Sequence, residues 1–153
     1  MSSPPTTVPT VLVFAGLDPT GGAGLQADIE AIASMGCHAA PVATALTVQD
    51  TAKVHRVLPV FPNVVLEQLR VLARDVRVHA VKLGMLATDD VARMVHLGLA
   101  DLRHGRPDPP PLVVDPVLAA SDGSALLERR AWPTLLEIVA EATLVTPNLP
   151  EVA

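Results

Sequence analysis

The sequence predicts an α/β protein in which a parallel-rich sheet carries helices on both faces, and three observations lead there. Short apolar runs rich in Val, Leu and Ala alternate with segments whose apolar residues recur at helical spacing, the pattern of strands and crossover helices. Aromatic residues are almost absent, being Phe14, Phe61 and Trp132 with no Tyr. The core must therefore be aliphatic, which suits parallel strands buried on both faces. Glycines and polar residues gather just after the apolar runs, where the ligand crevice of such a sheet opens. Half of the 153 residues are apolar, enough for one sizeable core.

Residues 1–7 are expected to form a disordered tail, and residues 8–153 one domain. Val8–Phe14 is a β-branched apolar run read as a buried strand, and Gly16–Gly22 a loop with Asp-Pro-Thr-Gly turn chemistry. From about Gly24 to Met35, Leu25, Ile29, Ile32 and Ala33 recur at helical spacing, and Gly36 ends the helix. Ala39–Leu46 reads as a second strand and Val54–Val60 as a short edge strand. Pro62 can open a helix whose apolar face is Val64, Val65, Leu69 and Leu72. Val78–Leu83 is a strand, Thr88 an N-cap, and Asp89–Leu102 a helix. Arg106–Pro111 is too proline-rich for either element. Leu112–Val117 is the next strand, Trp132–Ala142 a helix, and Leu144–Thr146 strand-like.

Composition removes several function classes. The net charge is −5 and there is no basic run, so a nucleic-acid footprint is missing. Cys37 is the single cysteine, so there is neither a disulfide framework nor a cysteine metal set. The five histidines are scattered. The N-terminus has no signal-peptide character, and Gly, Pro and charges interrupt every apolar run before membrane-spanning length. A cytoplasmic protein without membrane or nucleic-acid partners is the expectation.

The glycine cluster Gly16-Leu-Asp-Pro-Thr-Gly-Gly-Ala-Gly24 joins the first strand to the first helix. It offers backbone free to approach a ligand and a helix N-terminus with unpaired N–H groups. A Walker A loop would end in Gly-Lys-Ser/Thr, and this one ends in Gly-Ala-Gly. A dinucleotide fingerprint is formally present from Gly22 to Ala27, but too far from the strand for the tight turn it requires. Asp28 lies one turn into the helix. It reads either as a carboxylate complementing the helix dipole or as one aimed into the crevice to hold a substrate hydroxyl or amino group. Gln49 follows the second strand, either as a solvated loop residue or as an amide pairing with the edge of an aminopyrimidine.

Five ordered blocks carry a family resemblance. Ala15-Gly-Leu-Asp-Pro-Thr-Gly-Gly-Ala-Gly-Leu-Gln-Ala-Asp28 closely resembles the first signature of the hydroxymethylpyrimidine/phosphomethylpyrimidine kinases of thiamine biosynthesis, members of the ribokinase superfamily. Thr44-Ala-Leu-Thr-Val-Gln49, Val81-Lys-Leu-Gly-Met-Leu86, Val113-Val-Asp-Pro-Val117 and Thr146-Pro-Asn-Leu-Pro-Glu151 resemble its later blocks. The resemblance implies a ribokinase-like fold and phosphorylation by ATP, with Mg²⁺, of 4-amino-5-hydroxymethyl-2-methylpyrimidine and then of its monophosphate. By matching motif it implies a pyrimidine pocket lined by Gly16, Asp28, Thr47, Gln49, Met85 and Val117. Gln49 and the Thr47 backbone would read the ring edge, and Met85 and Val117 would cover its faces. It also implies a metal and phosphate region at Asp115, Asn148 and Glu151, whose oxygens suit Mg²⁺.

Asp50 stands where that family usually has Asn, and Leu17 where it has a small polar residue. Family members are generally well over two hundred residues and carry their anion hole, base and most of the adenine pocket in the later half. By this resemblance the catalytic base and the anion hole are expected beyond Ala153, and no residue of the chain is assigned to either role. The resemblance therefore makes this chain an N-terminal portion, C-terminally incomplete and not expected to turn over ATP alone. A homodimer or a complementary C-terminal piece would be the partner. The alternatives are a non-catalytic pyrimidine-binding module or partner subunit, and a pyridoxal kinase-like enzyme.

Overall fold

The computed structural model describes residues 8–152. Two expectations fall outside the described residues. One is the tail over residues 1–7, and the other is the C-terminal limit of the domain at Ala153. One six-stranded sheet runs in the order β3-β2-β1-β4-β5-β6. Its strands are β1 (Thr10–Leu17), β2 (His38–Gln49), β3 (Val54–Pro59), β4 (Val78–Leu83), β5 (Leu112–Val114) and β6 (Leu144–Val145). All neighbours pair in parallel except β2 and β3, which form an antiparallel ribbon at one edge. The helices are α1 (Gly24–Ser34), α2 (Pro62–Asp75), α3 (Asp89–Arg103), α4 (Trp132–Ala140) and the short α5 (Leu149–Val152).

The two faces of β1 explain the layers. Its alternate residues Leu12 and Phe14 are fully buried in a large cluster with Val65 and Leu69 of α2, Val91, Val95 and Leu99 of α3, and Leu135 and Ile138 of α4. Val13 and Ala15 point the other way, against Leu25 and Ile32 of α1. Helices thus lie on both faces, three on one and α1 on the other, and the aliphatic core needs only Phe14 as a buried ring. The local signals act as expected at two ends. Gly36, at φ +75°, closes α1, with the Cys37 N–H donating back to the Ile32 carbonyl at 3.1 Å. The Thr88 hydroxyl accepts from the Val91 N–H at 3.3 Å and caps α3.

Several boundaries differ from the sequence reading, each for a tertiary reason. β1 continues to Leu17 because Leu17 pairs with Leu46 and bridges to Gly24. β2 continues to Gln49 because β3 pairs with it as far as Gln49 opposite Val54. Thr47 and Gln49 therefore stand on a strand and not in a loop. β5 stops at Val114. Beyond it Pro116 has no N–H to give a neighbouring strand, and the Val117 N–H turns back to the Asp115 carbonyl at 2.9 Å. In α2 the buried residues are Val65, Leu66 and Leu69, while Val64 is exposed. α5 has no counterpart in the sequence reading. Among the described residues no helix is long and apolar enough to cross a membrane.

Candidate functional site

The strand ends converge on a cavity of about 310 Å³. One wall is the loop between β1 and α1. Buried Asp18 organises it by accepting from the Thr20 N–H at 2.8 Å and from the Thr20 hydroxyl at 3.0 Å. The Gly21 N–H closes the turn on the Asp18 carbonyl at 3.1 Å. Gly24 then returns to the strand end, and a Cβ on it would lie 2.2 Å from the Gly16 carbonyl oxygen. The backbone conformation there, φ +62°, is also one that L-residues seldom adopt. Ala23, the residue before α1, gives the helix no side-chain cap, and both Ala23 and Gly24 line the cavity.

Six of the residues singled out from sequence line this cavity: Gly16, Thr47, Gln49, Met85, Asp115 and Val117. Gly16 leaves room for Met85, whose Sδ would stand 2.8 Å from an added Cβ. Met85 is held from behind, where the buried Thr44 hydroxyl donates to its carbonyl at 2.5 Å. The Thr47 hydroxyl lies 2.9 Å from the Leu17 carbonyl and 3.3 Å from the Gln49 side-chain amide. One hydroxyl hydrogen cannot serve two acceptors. The nearer Leu17 carbonyl is its main acceptor, with Gln49 Oε1 the longer alternative.

Asp28 does not line the cavity. Its Oδ2 accepts from Lys82 Nζ at 2.8 Å in a pair that is about four-fifths buried, and it is Lys82 that reaches the cavity wall. Sequence reasoning missed Lys82. The signal was there: one of only two lysines in the chain stands inside an apolar strand, Val-His-Ala-Val-Lys-Leu, where a charge requires a partner. Asp115 stands just past β5, half-buried, and burial pushes its carboxyl up from the ordinary value. Lys82 opposes that shift, while Glu151 and Asp28 add to it.

Asn148 and Glu151 lie outside the cavity lining and serve each other. The Asn148 side-chain oxygen accepts from the Glu151 N–H at 3.0 Å, and Glu151 Oε2 accepts from the Asn148 N–H at 2.9 Å. This is a capping box at the start of α5. The other carboxylate oxygen, Oε1, lies 3.4 Å from the Leu118 N–H. Among the described residues no three His, Cys, Asp or Glu side chains form a metal cage. Asp115 and Glu151 are close enough to feel each other's charge, and their carboxylate oxygens are the donor type that could hold Mg²⁺. The base and anion hole expected beyond Ala153 fall outside the described residues, which end at Val152.

The outer wall is the turn between β2 and β3 with the segment 117–126. Asp50 Oδ1 accepts from the Ala52 and Lys53 N–H groups at 2.8 and 3.0 Å, and Oδ2 lies 2.7 Å from His55 Nε2. These contacts, His55 foremost, hold the Asp50 carboxyl at about 2. Its charge is thus taken up by the turn. Asp122 accepts from the Val54 N–H at 3.3 Å, tying the two segments together. Val54, Ala119, Ala120, Ser121 and Leu126 line the cavity, and their bland side chains gave no sequence signal.

Residues 18–153 match the family model described as phosphomethylpyrimidine kinase. The chain is 43% identical over 145 residues to the thiamine biosynthesis multifunctional protein ThiED of Corynebacterium efficiens, covering 95% of this chain and 19% of that one. It is 39% identical over 143 residues to the hydroxymethylpyrimidine/phosphomethylpyrimidine kinase of Salmonella typhimurium, covering 93% of this chain and 52% of that one. The crystal structure of phosphomethylpyrimidine kinase from Clostridium difficile 630 superposes with a TM-score of 0.83 at 32% identity, covering 95% of this chain and 61% of the other. The chain therefore has the ribokinase-like fold and spans about half the length of such curated kinases.

Proposed function

The chain belongs to the phosphomethylpyrimidine kinase family, and from that premise we propose that it binds 4-amino-5-hydroxymethyl-2-methylpyrimidine for phosphorylation. ATP is the phosphoryl donor, and the resulting monophosphate is the second acceptor on the way to thiamine diphosphate. The observation that carries this reading is the cavity itself, which gathers Gly16, Thr47, Gln49, Met85, Val117 and Asp115 from four strand ends.

The order of strands gives the cavity a polarity. Gln49 stands on β2, Gly16 on β1, Lys82 on β4 and Asp115 just beyond β5. Gln49 and Asp115 thus belong to opposite ends of the row of strands that lines the cavity. An aminopyrimidine at the β2 end has its edge read by the Gln49 amide and the Thr47 backbone. Met85 and Val117 supply apolar contact to its faces, and its hydroxymethyl group points toward β4 and β5. Asp115 and the neighbouring Glu151 would hold Mg²⁺, which when bound offsets the negative charge of the phosphates. Phosphoryl transfer depends on such positioning and charge stabilisation.

Calorimetry of the chain against the hydroxymethylpyrimidine, with pyridoxal as the comparison arm, tests the reading. Saturable pyrimidine binding that is lost in Gln49→Ala is the expected result. Absence of pyrimidine binding, or tighter binding of pyridoxal, overturns it.

A further inference from the structure

We propose that Lys82 is the residue through which this cavity accepts a phosphorylated pyrimidine, its ammonium group binding the phosphate of the monophosphate acceptor. The inference rests on the aminopyrimidine reading of the cavity and deepens it. A site that takes the alcohol and then its phosphate ester must hold first a neutral group and afterwards a dianion in the same place. The charged side chains lining the cavity are Asp18, Lys82 and Asp115, so Lys82 is its one cationic side chain among the described residues.

The surroundings aim that cation. Asp28, on α1, holds Nζ from behind at 2.8 Å. An ammonium has three donors and no acceptor, so one is spent on Asp28 and two remain for the cavity. Gly84 keeps the space in front open, since a Cβ there would lie 3.0 Å from Nζ. Lys82 stands on β4, between the amide end at β2 and the carboxylate end beyond β5. Gln49 lines the same cavity, so one ligand can meet both the amide and the ammonium. Asp18 and Asp115 would repel a dianion, and Asp28 alone cannot attract one. The Lys82–Asp28 pair therefore supplies an oriented cation to a cavity otherwise lined by carboxylates.

The test compares two ligands on the same chain by calorimetry, the hydroxymethylpyrimidine and its monophosphate. Lys82→Met is expected to weaken the monophosphate by about tenfold to a hundredfold relative to the alcohol, the effect of losing a hydrogen bond between charged groups. Lys82→Arg is expected to keep most of the preference. Equal weakening of both ligands by Lys82→Met assigns Lys82 to holding Asp28 alone and overturns the inference, as does unchanged monophosphate binding. If the wild-type chain binds neither ligand, the pyrimidine reading itself falls. A wild-type measurement covers a variant that does not fold. The chain has two lysines, so ¹³C-lysine labelling gives two ε-methylene signals. The Lys82 signal should move with the monophosphate and not with the alcohol, and a signal that ignores the monophosphate overturns the inference.

Discussion

Substituting alanine at Gly24 and, separately, at Gly36 isolates the close approach that builds the cavity wall. Both glycines have positive φ, +62° and +75°. Each alanine therefore meets the left-handed backbone penalty of about 1–2 kcal/mol. Each also stiffens the unfolded chain, which returns about 0.4–1 kcal/mol. The two sites differ in what the new methyl meets. At Gly36 nothing lies within 4 Å, whereas at Gly24 the Cβ falls 2.2 Å from the Gly16 carbonyl oxygen and 3.3 Å from its carbon. Ordinary contact requires about 3.5 Å, so the two backbone segments must part by roughly 1 Å, and such overpacking costs about 1–3 kcal/mol.

Gly24→Ala is thus expected to melt roughly 2–12 °C below Gly36→Ala, from 2–4 °C per kcal/mol in a domain of this size. The displaced Gly16 packs directly against Met85 in the cavity wall, so pyrimidine affinity should fall in Gly24→Ala and not in Gly36→Ala. Thermal unfolding and calorimetry on the two variants decide the matter. Equal melting temperatures and equal affinities would refute the argument that Gly24 is required for contact and not for φ alone.

Three further outcomes follow from charges near the site. The Asp50 carboxyl lies at about 2 against an ordinary 3.8. Its contribution to stability is present above pH 3.8 and lost as pH falls through about 2, and His55→Ala should move the NMR-detected titration of Asp50 upward; an unmoved titration would remove His55 as the leading cause. Asp115 has the opposite sign, because burial raises its carboxyl above the ordinary value. Its favourable contribution is full below pH 3.8 and lost as pH rises through the raised value, so Asp115→Asn should melt above wild type at pH 7 and lose that advantage in acid. Glu151→Gln keeps a side chain that can complete the capping box and should leave stability within about 0.5 kcal/mol. Glu151→Ala leaves the Asn148 and Leu118 N–H groups without that partner and should cost about 0.5–1.5 kcal/mol in thermal unfolding.

What could be read in the sequence is what depends on neighbours in the chain. The apolar run at Val78–Leu83, the Thr88 cap, the Gly36 stop and the proline-rich loop over 106–111 are local effects, and the structure has them where local chemistry puts them. What could not be read depends on partners far along the chain. β2 gains its last three residues only because β3 folds back on it, and that pairing lifts Thr47 and Gln49 onto a strand edge. Asp28 looked the same on a helix wheel whether it faced solvent, ligand or lysine. Its partner is 54 residues away, and only the adjacency of α1 and β4 across one sheet face decides between those readings.

Asn148 and Glu151 join the two kinds of information. From sequence, Asn-x-x-Glu offers hard oxygens at a strand end, and it is equally the spacing of a capping box. In the fold the two uses are compatible. The box consumes Glu151 Oε2, while Oε1 turns toward Leu118 at 3.4 Å, a long contact that leaves lone pairs for another partner. Leu118 begins the segment whose Ala119, Ala120, Ser121 and Leu126 close the cavity's outer wall. Glu151 therefore joins three things: the start of α5, a contact to that wall, and a negative field that adds to the burial-driven rise of the Asp115 carboxyl.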